Sequence, residues 1–123
     1  EEAVKYAKER VQFGKPLAYQ PVIANKIADM AMEVELAKTF LFRVAWMKES
    51  KQPSYTKQAA MLKVFASEMS HRVCHTAVQI HGGYGYIKEN KVERLYRDQR
   101  ITEIYEGTSE IQRMVIGRAV LSE

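Results

Sequence analysis

A carboxylate set directly before a glycine and a helix start is suited to act as a base, and Tyr105-Glu106-Gly107-Thr108-Ser109-Glu110-Ile111-Gln112 has that form. Helix N-termini present free amides and favour negative charge, so an anion or a polarised carbonyl can dock beside Glu106. A base next to ready-made donors is the arrangement needed to remove a proton α to a carbonyl. The plainer alternative is that Glu106 only complements the helix dipole while Thr108 and Ser109 only cap. Ser109-Glu110-Ile111-Gln112 also fits a capping box.

Two further groups could bind a ligand. In Gln79-Ile80-His81-Gly82-Gly83-Tyr84-Gly85-Tyr86, three glycines at a helix end allow close approach of another backbone or of a ligand. Gln79 can offer both a donor and an acceptor to a heterocycle edge. An ordinary glycine stop is the alternative, and the dinucleotide fingerprint is excluded by its spacing and by the lack of a preceding strand. In Arg10-Val11-Gln12-Phe13-Gly14-Lys15-Pro16 a guanidinium near an exposed Phe suits a phosphate and a ring. Taken alone, it equally describes an arginine set against a helix C-terminus. His71 and His75 stand one helical turn apart with Cys74 between them, but no carboxylate triad or second Cys accompanies them, and no metal is expected.

The elements that must position these residues are helical. Ile23, Ile27, Met30, Val34, Ala37, Leu41 and Val44 follow steps of four and three, one apolar stripe along a helix of about seven turns. Asp29, Glu33, Lys38 and Arg43 fall largely off it. Leu62, Ala66, Met69, Val73, Thr76 and Ile80 repeat the pattern, with Ser54 as the expected cap after Pro53 and Gly82-Gly83 as the stop. A shorter helix is expected near Val92 to Arg100, and a last one opening at Thr108 or Ser109. Trp46, Met47 and the other methionines of the second helix are expected in the core. Strand signals are nearly absent. The fold class is therefore all-α, an up-and-down antiparallel bundle of four to five helices.

A chain of 123 residues suits one domain, and 46% hydrophobic with 28% charged residues is a globular composition, which excludes a disordered tail. One cysteine excludes a disulfide-stapled secreted module. The longest stretch without Asp, Glu, Lys or Arg, Val73 to Ile87, contains His75, Gln79, His81 and three glycines, and falls short of the ~18 apolar residues a membrane helix needs. A formal charge of +4, with Lys5, Lys8, Arg10 and Lys15 as the only modest basic stripe, is weak support for nucleic-acid binding. The opening Glu1-Glu2-Ala3-Val4 reads as the middle of a helix, so the chain is expected to be a piece of something longer.

Read together, these segments resemble the C-terminal domain of the acyl-CoA dehydrogenase family. Arg10 to Leu17, Ile27-Ala28-Asp29-Met30, Gln79 to Tyr86, Tyr96-Arg97-Asp98 and Ile104 to Arg113 occur in family order and spacing across almost the entire chain. The resemblance implies that residues 1–123 are that helical domain, with the N-terminal helical domain and the middle β-domain absent. It implies an FAD-dependent oxidoreductase of fatty acid metabolism that forms the α,β double bond of an acyl-CoA thioester. Glu106 matches the general base, which takes the α-proton while the β-hydrogen leaves as hydride to flavin N5, and the Glu106 N–H helps hold the thioester oxygen. Tyr105 and Gly107 match positions beside the substrate. Thr108 and Glu110 match positions that contact FAD in the same subunit; Arg10, Phe13, Gln79, Gly82 and Gly83 match positions that reach a neighbouring subunit's FAD.

A homo-oligomer, usually a tetramer, is implied, as is reoxidation by an electron-transfer flavoprotein. The expected compartment is the bacterial or archaeal cytoplasm or the mitochondrial matrix, without secretion. Many members carry Gln at the position of Pro21, whereas Gln20 here falls one residue early. The isolated piece is expected to retain FAD weakly or not at all and to be inactive alone. The presence of Glu106 favours the short-, medium- or branched-chain groups, and Ser109 to Gln112 leans toward short or short-branched substrates. The alternatives are an acyl-CoA oxidase on the same fold and a non-catalytic helical module for self-association.

Overall fold

The computed structural model describes residues 1–53 and 55–122. Ser54, the expected cap of the third segment, lies outside the described residues. The chain runs α1 (Glu2–Glu9), a hairpin of β1 (Val11–Gln12) and β2 (Lys15–Pro16), α2 (Pro21–Glu49), α3 (Tyr55–His81), α4 (Gly83–Tyr86), α5 (Lys91–Asp98) and α6 (Ser109–Leu121). Two 3₁₀ turns, Leu17–Tyr19 and Gln99–Glu103, lead into α2 and out of α5. The architecture is the all-α antiparallel bundle that the periodicities predict, with six helices among the described residues. The added one is the single turn α4, formed directly after Gly82.

Every other helix touches α3. The hairpin of α2 and α3 is pinned by Arg72, whose Nε donates to both Glu33 carboxylate oxygens at 3.0 and 3.1 Å. Arg113 of α6 meets Glu68 of α3 at 2.6 Å. These pairs are partly exposed and contribute little, about 0–1 kcal/mol each. Burial does more. Ala3, Ala7, Ala77, Ile80 and Val92 form the core cluster, with Tyr6, Leu17, Ile23, Ile27 and Met30 packed against it. Small residues on α1 let it sit close to α3, and the α2 stripe supplies the larger side chains.

Part of the α2 expectation is corrected. Ala37, Val44 and Met47 are buried, but Leu41 is half exposed and Trp46 is 60% exposed. Trp46 shares the outer face of α2 with Met32 and Phe42, so this helix carries a second apolar stripe that the described residues leave exposed. The whole surface is correspondingly large. Its 8674 Å² exceeds the about 6,800 Å² of a compact monomer of 14.2 kDa by about 1,900 Å².

The hairpin is the second correction. Gln12 pairs with Lys15 and Val11 with Pro16, around a two-residue turn in which Phe13 (φ 54°) and Gly14 (φ 76°) are both left-handed. Tight hairpin turns demand positive φ at both positions and usually advertise it with Asn-Gly or Asp-Gly. Phe-Gly carries no such signal, and strands of two residues are too short to alternate.

Candidate functional site

Among the described residues only three non-glycine positions have positive φ: Phe13, Lys51 and Glu106. Two of these are residues singled out for their chemistry. Glu106 stands at φ 53° and Gly107 at φ 89°, between the 3₁₀ turn and α6. A left-handed backbone costs a side-chain-bearing residue about 1–2 kcal/mol, and such strain persists only where the surroundings enforce it. Here Gln112 enforces it, its Nε2 donating to the Glu106 carbonyl at 2.9 Å. The Glu106 carboxylate is left exposed, and within the described residues its N–H is bonded to nothing.

This arrangement replaces the expected capping box. The N-cap is Thr108, whose Oγ1 accepts from the Ile111 N–H at 3.4 Å. Gln112 is therefore one residue too far along to close the box, and it reaches back over Gly107 instead. Ser109 becomes the first helical residue, and its buried Oγ has no partner among the described residues. Glu110 is held below the ordinary carboxylate range, first by its own backbone N–H and then by the Thr108 hydroxyl. It stays ionised at neutral pH, where it complements the helix N-terminus.

Gly107 is fixed by conformation and by space, since a Cβ there would lie 2.8 Å from Gln112 Nε2. Gly107→Ala is expected to destabilise the domain by about 1–2 kcal/mol and to free the Gln112 amide. Thermal melts and loss of the slowed Gln112 side-chain amide exchange by NMR would report both effects.

The second group gathers elsewhere. A cleft of about 430 Å³ is lined by Tyr6, Arg10, Leu17, His81, Gly83 and Tyr84, among others, and by none of Tyr105 to Glu110. Arg10 caps the C-terminus of α1: its N–H donates to the Tyr6 carbonyl at 2.8 Å and its carbonyl accepts from the Leu17 N–H at 2.8 Å. Gly82 adopts φ 58°, ψ −138°, a region open in practice only to glycine. A Cβ on Gly82 or Gly83 would meet nothing within 4 Å, so their backbone faces open space. Gly85 is different. Its Cβ would lie 2.6 Å from the Val78 carbonyl oxygen, so it serves the packing of α4 on α3. The two roles that a glycine cluster allows, approach by a ligand and approach by a backbone, are thus divided within four residues.

Gln79 is exposed on the last turn of α3, and Phe13, 92% exposed, stands at the hairpin tip. The Gly82 N–H donates to the Gln79 carbonyl at 3.2 Å and its carbonyl accepts from the Gly85 N–H at 2.9 Å, so what Gly82 and Gly83 leave is open space beside the chain, where with the Arg10 guanidinium a phosphate would have room. His71 takes a different role from ligation: its Nδ1 lies 2.8 Å from Gln99 Nε2, which also donates to the Tyr96 carbonyl at 3.0 Å. No group of three or more His, Cys, Asp or Glu able to hold a metal occurs among the described residues. Burial pushes the Cys74 thiol up, away from the reactive thiolate. No helix is long and apolar enough to cross a membrane among the described residues. The residues that sequence reasoning missed are Gln112 as the clamp on Glu106 and Tyr84 beside Arg10; both stood inside quoted motifs, but their partners are set by three-dimensional placement.

Comparison with known proteins gives one answer. The family described as acyl-CoA dehydrogenase, C-terminal domain, matches residues 1–121. The caffeyl-CoA reductase-Etf complex subunit CarC of Acetobacterium woodii is 54% identical over 123 residues, which are 100% of this chain and 32% of that protein. The mitochondrial short-chain specific acyl-CoA dehydrogenase of Homo sapiens is 52% identical over 119 residues, 97% of this chain and 29% of that one. The structure of butyryl-CoA dehydrogenase from Megasphaera elsdenii superimposes with a TM-score of 0.94 at 48% identity, covering 98% of this chain and 31% of that chain. The chain thus spans about a third of the length of the curated relatives it matches. With the motifs, the fold and these likenesses in agreement, the chain belongs to the acyl-CoA dehydrogenase family, in the part that forms its C-terminal domain.

Proposed function

We propose that this chain is the base-bearing domain of an FAD-dependent acyl-CoA dehydrogenase, in which Glu106 removes the α-proton of an acyl-CoA thioester. The observation that carries this reading is the strained backbone of Glu106, clamped by Gln112 at the mouth of a 13-residue helix. Structures keep such strain where a side chain must be held in one direction.

An ordinary carboxylate, with a pKa near ~4.3, is far too weak a base for an unactivated α-carbon. The reaction therefore needs donors on the thioester oxygen, and the unbonded Glu106 N–H supplies one. Tyr105 and Gly107 flank the base and would lie beside the thioester. A flavin bound there would supply the acceptor for the β-hydrogen, taken as hydride at N5. Thr108 and Glu110 would meet the flavin held in the same subunit. Arg10, Phe13, Gln79, Gly82 and Gly83 would meet that of a neighbour. The separation of these two groups on the surface supports a site shared between subunits, and so does the uncovered apolar face of α2. A homo-oligomer, with a tetramer as the expected form, and an electron-transfer flavoprotein as oxidant complete the proposal. Short acyl chains are favoured by the relatives named for butyryl-CoA and for short-chain substrates.

A second reading is favoured by the relative named as a caffeyl-CoA reductase. The same carboxyl group, protonated, would deliver a proton to the α-carbon, because a base that removes a proton returns it in the reverse direction. One experiment separates the readings. Anaerobic butyryl-CoA should bleach the flavin of the full-length enzyme, and admission of air should yield little peroxide. Rapid peroxide formation would mark an oxidase. Failure of saturated acyl-CoA to bleach a flavin that an enoyl-CoA reoxidises would mark a reductase.

A further inference from the structure

We infer that Tyr84 is a positioning residue for Arg10, holding its guanidinium over the aromatic ring so that the N–H donors stay free for a phosphate of the bound cofactor. The inference rests on the reading of Arg10 as a cofactor contact. The backbone of Arg10 is pinned on both sides, by Tyr6 and by Leu17, but its long side chain would otherwise be free to rotate. Among the described residues no carboxylate pairs with it, although Arg72, Arg97, Arg100, Arg113 and Lys91 each form an ion pair. Its guanidinium carbon instead lies 5.3 Å from the centroid of the Tyr84 ring, within the range of a cation–π contact.

The choice of partner matters chemically. A carboxylate would occupy the planar fork of donors with which arginine grips phosphate, whereas a ring face attracts the cation and occupies none of them. Tyr84 is itself held. Its ring is 6.5 Å from that of Tyr6, which stacks on His81 at 4.2 Å with an interplanar angle of 22°. His81 is buried, and its Nδ1–H donates to the Ala77 carbonyl at 2.8 Å. The row Arg10, Tyr84, Tyr6, His81 therefore runs from the cleft back into α3, beside the open space at Gly82 and Gly83.

The test measures FAD affinity of the full-length enzyme by flavin fluorescence after deflavination. Tyr84→Leu should weaken FAD about threefold to tenfold, and Tyr84→Phe, which keeps the ring, should bind within about twofold of the parent. In an Arg10→Gln background Tyr84→Leu should have no further effect. Apoenzyme melts should match throughout, since Tyr84 is half exposed; if Tyr84→Leu does not accumulate folded, Tyr84→Met carries the same expectation. Unchanged affinity in Tyr84→Leu, with Arg10→Gln weakened, overturns this inference alone, as does an undiminished Tyr84 effect in the Arg10→Gln background. Unchanged affinity in Arg10→Gln removes the cofactor role of Arg10 and this inference with it.

Discussion

Glu106→Gln in the full-length enzyme should leave FAD bound while the rate of flavin bleaching by acyl-CoA falls by about 10³–10⁴-fold, the upper range of what a positioned general base contributes. Gln is nearly isosteric and pays the same left-handed backbone cost, so the melting temperature should not move. That separates proton transfer from folding. Glu106→Gly gives the complementary measurement. It relieves about 1–2 kcal/mol of strain and gives back about 0.5–1 in unfolded-chain entropy, so the variant should be equally or slightly more stable and equally inactive. Retained bleaching in Glu106→Gln would remove Glu106 from the mechanism. A large loss of stability in Glu106→Gly would show that the carboxylate serves the fold.

The second large effect is expected at Gly85. A Cβ there would sit 2.6 Å from the Val78 carbonyl oxygen, 2.9 Å from His81 Cβ and 3.0 Å from Val78 Cα. Two of these atoms are backbone in the last turn of α3 and cannot swing aside, so α4 must lift from its seat. Gly85→Ala should cost about 3 kcal/mol, the upper end of overpacking penalties, and should disturb Tyr84 one residue away. Gly83→Ala is the control. Nothing lies within 4 Å of its added methyl, so stability should be unchanged or slightly raised, while FAD binding should weaken if a ligand uses that space. Equal melting temperatures for the two variants would contradict the division of roles among these glycines.

Much of the fold is legible from periodicity, because α2 and α3 are long and their burial repeats with the helical turn. The Ile23-to-Val44 stripe and the Gly82 stop both follow from local rules, since apolar spacing and a glycine conformation need no distant partner. What escapes is set by tertiary geometry. Leu41 and Trp46 look like core residues by type, yet the described residues leave both of them half exposed or more. The hairpin escapes because Phe13 carries no turn signal for its positive φ. At the candidate site the motif around Glu106 stands out by residue type alone, but its geometry does not. Ser109 and Thr108 are equally good caps in a string of letters, and only the choice of Thr108 moves Gln112 out of the box and onto the Glu106 carbonyl.

The uncovered stripe on α2, with Trp46 and Phe42 facing outward, bears on how this domain holds together. If those side chains are buried only by association, folding and assembly draw on one equilibrium, and mass action enters the melting curve. Dilution alone would then loosen α2, long before any residue near Glu106 was altered.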